Sequence, residues 1–246
     1  MGKSLVTGGP RVKAASGRPK ADFTQRGAFA DNHDMERHST MIVNGGGLRS
    51  LIATAAALTE TDPGQLVLLH MRDGRANAAV RANHVHRQAR HYQIARILEV
   101  DLPHLQTEPY VAVNQDGGSS PLTRPQTLIV AVAQAIRLKT SRLIWPVQIN
   151  GDYPTIARAA EEVVLIEQLT RLEQQQAPAI EMPLVDLTDQ QLIELGAQLD
   201  APWELAWTCM QAGDRPCGMC AACQHRRAAF EAAGVIDAML KQPAMR

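Results

Sequence analysis

Residues 40–58, TMIVNGGGLRSLIATAAAL, join a short apolar run to a glycine turn and then to a stretch suited to a helix. Met41, Ile42 and Val43 are apolar in succession, as expected of a strand covered on both faces. Asn44-Gly45-Gly46-Gly47 can turn sharply, and residues 48–58 are rich in Ala and Leu, both strong helix formers. Strand, tight turn and helix together open a βαβ unit. The order then repeats. Residues 65–71 (QLVLLHM) form a continuous apolar run of strand length, followed by a long helical stretch expected over 76–98. A weak third strand is expected to begin at Leu105. Residues 127–138 (TLIVAVAQAIRL) suit a helix and 142–147 (RLIWPV) a fourth strand. Helices over 154–173 and 188–198 flank a proline-bounded segment, IEMPLVDLT, at 180–188. Strand and helix alternate throughout, so the expected fold class is α/β, a doubly wound parallel sheet with right-handed crossovers.

Bulk properties narrow the function classes. The chain has 246 residues, with 45% hydrophobic and 20% charged residues and a formal net charge of zero. This length buries one full-sized core with a small appended module. Zero net charge gives no global field to recruit nucleic acid or an anionic membrane. No apolar run approaches the roughly 18–20 residues needed to span a bilayer, and the N-terminus lacks the apolar core of a signal peptide. A cytoplasmic, reducing setting is expected, where clustered thiols are more often metal ligands than disulfides.

The four cysteines, Cys209, Cys217, Cys220 and Cys223, carry the strongest chemical signal. Their spacing is C-x7-C-x2-C-x2-C. Two-residue spacers let tight turns aim successive sulfurs at one point, and Gly213 and Gly218 supply backbone freedom. Four protein sulfurs around one ion describe a closed, structural Zn²⁺ site. An iron–sulfur cluster is the rival reading, since C-x2-C-x2-C also opens ferredoxin-type motifs. Here the fourth cysteine lies upstream and no closing C-x3-C-P follows.

Residues 1–38 read differently. The first 27 carry six Lys or Arg against one acidic residue, with scattered Gly and Pro and no apolar period. Such a stretch does not bury enough surface to offset its ordering entropy, so 1–38 is expected to be a disordered basic tail. The expected layout is then an α/β domain over 39–200 and a cysteine-bearing segment over 201–246 packed on it.

Taken together, the glycine turn and the cysteine spacing resemble the 7-cyano-7-deazaguanine synthases, ATP-using enzymes of queuosine-precursor synthesis with a PP-loop ATP-pyrophosphatase (adenine-nucleotide α-hydrolase-like) fold. The resemblance covers roughly residues 40–237. The family's first strand runs into S-G-G-x-D-S, matched here by Gly45, Gly46, Gly47, Leu48, Arg49 and Ser50. A family histidine falls on His84, an arginine on Arg124, and a Tyr-Pro pair on Tyr153-Pro154. The match continues through Thr208-Cys209, Cys217-Gly218, Cys220, Cys223 and Arg226. The resemblance implies nucleotide binding at Gly45–Ser50, substrate contacts from His84, Arg124 and Tyr153, zinc on the four cysteines, and ATP with Mg²⁺ as co-substrates. The departures fall on the chemistry. The loop aspartate is Arg49, the leading serine is Gly45, a family lysine is Asp189, and the family's Arg-Asn is Arg124-Pro125. Arg49 cannot bind a metal ion but suits phosphate, and the Arg49/Asp189 exchange is expected to bring the two side chains together as a charge swap.

Two readings of function follow. In one, the chain binds a nucleotide and a deazapurine-like or other carboxylate substrate for ATP-dependent activation. In the other, it is a degenerate relative that binds a ligand or partner without ATP turnover. Expected partners are a small-molecule substrate or nucleotide and a second copy in a homodimer, with no membrane and with nucleic acid only through the basic tail. His84 and His86 point to different helix faces, and these two with His91 are read as solvated or hydrogen-bonded rather than as a second metal site. Trp203 and Trp207 are expected to pack the cysteine segment onto the sheet.

Overall fold

The computed structural model describes residues 39–102, 123–174 and 176–240. Five parallel strands form one sheet in the order β3-β2-β1-β4-β5. They are β1 (Thr40–Val43), β2 (Leu66–Arg72), β3 (Arg96–Asp101), β4 (Arg142–Ile144) and β5 (Ala179–Glu181). The helices are α1 (Leu48–Ala57), α2 (Ala78–His91), α3 (Thr123–Arg137), α4 (Tyr153–Glu173), α5 (Asp189–Gln198) and α6 (Ala221–Ala232). β1 is central, pairing with β2 through Met41↔Val67 and Ile42↔Leu68, and with β4 through Met41↔Leu143 and Ile42↔Ile144. The chain winds outward on one side through β2 and β3, then returns across β1 to β4 and β5. Right-handed crossovers in opposite directions place the two sets of helices on opposite faces.

The strand periodicity divides the core accordingly. Ile42, Leu66, Leu68 and Ile144 pack with Ile52 of α1, Val85 of α2 and Leu192 of α5. Met41, Val67, Leu69 and Leu143 point the other way, against Leu128 and Val132 of α3 and Val163 and Ile166 of α4. Each β1 and β2 residue in these two sets is fully or nearly fully buried. Consecutive strand positions are therefore all apolar, and the doubly wound class read from the sequence stands.

Two elements differ from the sequence reading. The helix expected over 76–98 ends at His91, and Gln93 turns the chain with φ of 57°. Arg96–Asp101 is a strand, because Ile97 and Leu98 pair with Leu68 and Leu69 of β2 and the β-branched Ile97 and Val100 suit the pleat. The strand expected from Leu105 falls outside the described residues. β5 lies in the stretch read only as proline-bounded: Pro178 and Pro183 flank its three residues, which pair with Arg142, Leu143 and Ile144. β4 is shorter than 142–147, since Pro146 has no N–H to extend the ladder.

Candidate functional site

In an open parallel sheet, ligands bind beyond the carboxyl ends of the strands where the winding reverses. Here that point is between β1 and β4. A cleft of about 840 Å³ opens there, lined by Val43 to Ser50 from the β1–α1 turn and by Trp145 to Gln148 after β4. The N-terminal ends of α5 and α6 close it through Asp189, Ala221, Ala222 and His225.

The glycine turn is built around the buried Asn44. Its side-chain oxygen accepts from the Gly46 amide at 2.8 Å, and its amide nitrogen donates to Gln88 Oε1 at 2.9 Å. Gly46 has φ of +74°, and a Cβ there would stand 2.5 Å from the Arg81 carbonyl oxygen. Only glycine fits this approach of the turn to α2. Arg81 Nε also donates to the Gly45 carbonyl at 2.9 Å. α1 begins with Gly47 at its N-cap and no side-chain capping bond, so its first amides face the cleft unshared.

The cleft is markedly basic. Arg49, Arg75, Arg81, Arg124 and the buried Arg226 line it, with Asp189 as the only carboxylate among the described lining residues. Arg81 and Arg75 reach Asp73 at 2.9 and 3.3 Å, and Arg124 pairs with Glu162 at 2.9 Å. Glu162 is thus the partner of a cleft arginine. Arg49 is exposed and makes no ion pair within 4.0 Å among the described residues. The surrounding cleft walls partly desolvate its guanidinium and lower its pKa, an effect that Asp189 opposes. The expected charge swap is therefore only partly present: both side chains share the cleft and feel each other's field. Asp189 is instead held by His225 Nε2 at 2.8 Å and by Gln148 Nε2 at 3.0 Å.

The remaining sequence candidates are placed as follows. His84 is 4% exposed, its ring tilted against that of Trp207 with centroids 5.4 Å apart, and its pKa is lowered by burial. It does not line the cleft. Tyr153 begins α4 and is 79% exposed, also away from the cleft lining. His86 pairs with Glu99 and His91 packs edge-on to Tyr92, so the three histidines do not converge. Sequence reasoning missed Arg75, Asn77, Arg81, Gln148 and His225, whose roles depend on crossovers that no local pattern announces. Three buried polar atoms of cleft residues, Asn77 Oδ1, Trp207 Nε1 and Thr208 Oγ1, find no partner among the described residues.

The four cysteine sulfurs lie within 4.8 Å of one another, and Cys209 and Cys220 are 3.9 Å apart. A tetrahedron with metal–sulfur bonds of ~2.3 Å has sulfur–sulfur edges of ~3.8 Å. Backbone amides of Gln211 and Cys217 point at Cys209 Sγ, and that of Cys220 at Cys217 Sγ, at 3.3–3.4 Å. Amides of Met219 and Cys220 bring the exposed Cys217 thiol down to about 6, while burial pushes Cys209 and Cys223 up. The set converges as a metal site needs. It is joined to the sheet by Trp207, 2% exposed, whose amide donates to the Gly46 carbonyl at 2.8 Å. Asn77 Nδ2 donates to the Cys209 carbonyl at 2.8 Å, tying the knuckle to α2 as well.

Behind the knuckle, Arg226 is 2% exposed and gives Nε and Nη2 to both oxygens of Asp237 at 2.6 and 2.8 Å. It also donates to the Ala206 and Trp203 carbonyls at 2.5 and 2.9 Å. One buried guanidinium therefore fixes α6, the turn before the cysteines and the C-terminal segment together.

Sheet order, switch-point cleft and cysteine cluster define a doubly wound α/β protein with four cysteines placed so that they could hold a metal ion. The family model for "Queuosine biosynthesis protein QueC" matches residues 127–234. The 7-cyano-7-deazaguanine synthase of Methanoculleus marisnigri is 26% identical over 211 residues, 78% of this chain and 93% of that protein. The synthase of Caldicellulosiruptor saccharolyticus is 32% identical over 45% of this chain and 49% of its own. The chain is thus similar in sequence to the 7-cyano-7-deazaguanine synthases. Other curated synthases match over shorter spans: that of Trichodesmium erythraeum is 38% identical over 26% of this chain and 29% of its own length. Among solved structures, the U34-tRNA thiolase NcsA from Methanococcus maripaludis with its 4Fe–4S cluster is similar at TM-score 0.47 and 12% identity, covering 79% of this chain and 65% of that one. NMN synthetase from Francisella tularensis is similar at TM-score 0.41 and 15% identity, covering 81% and 79%.

Proposed function

We propose that this chain binds a nucleotide in the β1–β4 cleft and activates a carboxylate substrate, deazapurine-like in class, at the expense of ATP. The observation that carries the reading is the cleft itself: a glycine turn, the open N-terminus of α1 and the side chains of Arg49, Arg75, Arg81 and Arg124 meet at the switch point. Helix N-termini and arginine side chains both favour phosphate oxygens. In this reading Gly45, Gly46, Gly47, Leu48, Arg49 and Ser50 hold the phosphates. Arg124 faces the substrate side of the same cleft. ATP-dependent activation of an acid forms an acyl adenylate: a carboxylate oxygen bonds to the α-phosphorus and pyrophosphate leaves. Cations beside the leaving group favour that step.

Zn²⁺ is the ion we assign to Cys209, Cys217, Cys220 and Cys223. Sulfurs within 4.8 Å fit a single ion, whereas a cluster interposes iron and sulfide and spreads the thiolates further. The ion would be structural, holding Trp207 and Thr208 against the glycine turn. A cytoplasmic site of action accords with clustered thiols, and no helix among the described residues is long and apolar enough to cross a membrane. Titration with ATP and a panel of deazapurine acids, with detection of pyrophosphate, tests the reading. Acid-dependent pyrophosphate release supports it, and ATP binding with no release for any acid removes the activation step.

A further inference from the structure

Phosphate groups bound in a partly dry cleft need their charge neutralised, either by a divalent ion on carboxylates or by arginines. The supply of carboxylate here is small. Among the described residues Asp189 is the only one lining the cleft, and His225 and Gln148 occupy its two oxygens. Asp73, in the adjoining smaller pocket, is clasped by Arg75 and Arg81. The supply of cation is large, and Arg49 stands at the second position of α1 with its guanidinium in the cleft. In the same lining, the side chains of Trp207 and Asn77, 2% and 8% exposed, each leave a polar atom without a partner among the described residues.

Resting on the nucleotide reading above, we propose that the cleft binds polyphosphate without a divalent metal ion, Arg49 supplying the charge that Mg²⁺ would otherwise bring. Arg49 projects from the first turn of α1, so it and the open amides of that turn can hold the same phosphate group. Arg81 cannot move freely to help, because it also carries the Gly45 carbonyl and Asp73. Arg49 has no such duty. Divalent ions should then compete with Arg49 for the phosphate oxygens rather than bridge them to the protein.

The test is calorimetric titration of the full, zinc-loaded chain with ATP and, separately, with inorganic tripolyphosphate. Buffers are depleted of divalent ions by resin, since a soluble chelator would attack the cysteine site, and titrations are repeated with millimolar Mg²⁺. The expected result is an affinity for both probes that Mg²⁺ leaves unchanged within about twofold or weakens, because there is no favourable coupling between the two. Arg49→Ala should weaken both probes by about 10- to 100-fold, as for a lost charge-assisted bond, and Arg49→Lys should retain most of the affinity. Arg49→Asp should bind tightly only when Mg²⁺ is present. ATP binding that requires Mg²⁺ in the unaltered chain overturns the metal-free site and leaves the nucleotide reading standing. Tripolyphosphate binding without ATP binding supports the arginine site and removes the nucleotide. Binding of neither probe removes both.

Discussion

The buried Arg226–Asp237 pair gives the most quantitative prediction. Arg226→Met keeps most of the side-chain volume and removes the charge. It leaves Asp237, 7% exposed, with only the Met239 amide at 3.0 Å as a donor to one oxygen, and none to the other. The carbonyls of Ala206 and Trp203 lose a donor at the same time. Breaking one side of a buried ion pair costs about 3–5 kcal/mol. The two carbonyls add roughly 1 kcal/mol each where water does not replace the donor. A loss of about 5–7 kcal/mol is therefore expected, a large part of a typical domain stability of 5–15 kcal/mol. Asp237→Asn should cost less, since the amide still accepts from Arg226. The double variant Arg226→Met/Asp237→Leu removes both charges and should recover at least about 2 kcal/mol of the summed single losses. Urea unfolding of the zinc-loaded chain, with the slope checked for constancy, reads all of these. A loss below about 1 kcal/mol for Arg226→Met, or strict additivity in the double variant, would refute the reasoning.

Gly46→Ala forces a side chain into the left-handed region and into the Arg81 carbonyl at 2.5 Å, which should cost at least about 2 kcal/mol in chemical denaturation. Cys220→Ser should lower the bound zinc, measured by elemental analysis, and lower the thermal midpoint with it. A brown protein with iron and labile sulfide would contradict the single-ion site. Burial lowers the pKa of His70, 1% exposed, and of His84. The unfolded chain therefore binds more protons than the folded one just below the ordinary histidine pKa of ~6.5. Stability is then complete above that pH and falls as pH drops toward the depressed folded values, by at most ~1.4 kcal/mol per pH unit per histidine. His70→Asn should flatten the slope, and an unchanged profile would show that His70 does not govern it.

The sheet was legible where burial on both faces made strands uniformly apolar, as in Met41 to Val43 and Leu66 to Leu69. It was not legible at β3, where Arg96, Glu99 and Asp101 break the apolar run on a half-exposed edge strand. Nor was it at β5, whose three residues count as a strand only through pairing with β4. At the site, the glycine turn and cysteine spacing could be read because tight turns and metal geometry impose local patterns. Arg81, Gln148 and His225 enter the cleft from three separate elements, α2, the segment after β4, and α6. Only the crossovers bring them together. Arg49 and Asp189 were read as partners from the exchange of charges, but a nearer donor to Asp189 was waiting in His225, one helix away.

The central claim is that the β1–β4 cleft is where nucleotide phosphates sit. A crystal structure with a non-hydrolysable ATP analogue tests it most directly. The account predicts phosphate oxygens in hydrogen-bonding contact with the amides that follow Gly46 and with Arg49. An analogue ordered elsewhere on the molecule, with the glycine turn contacting no part of it, would contradict the account.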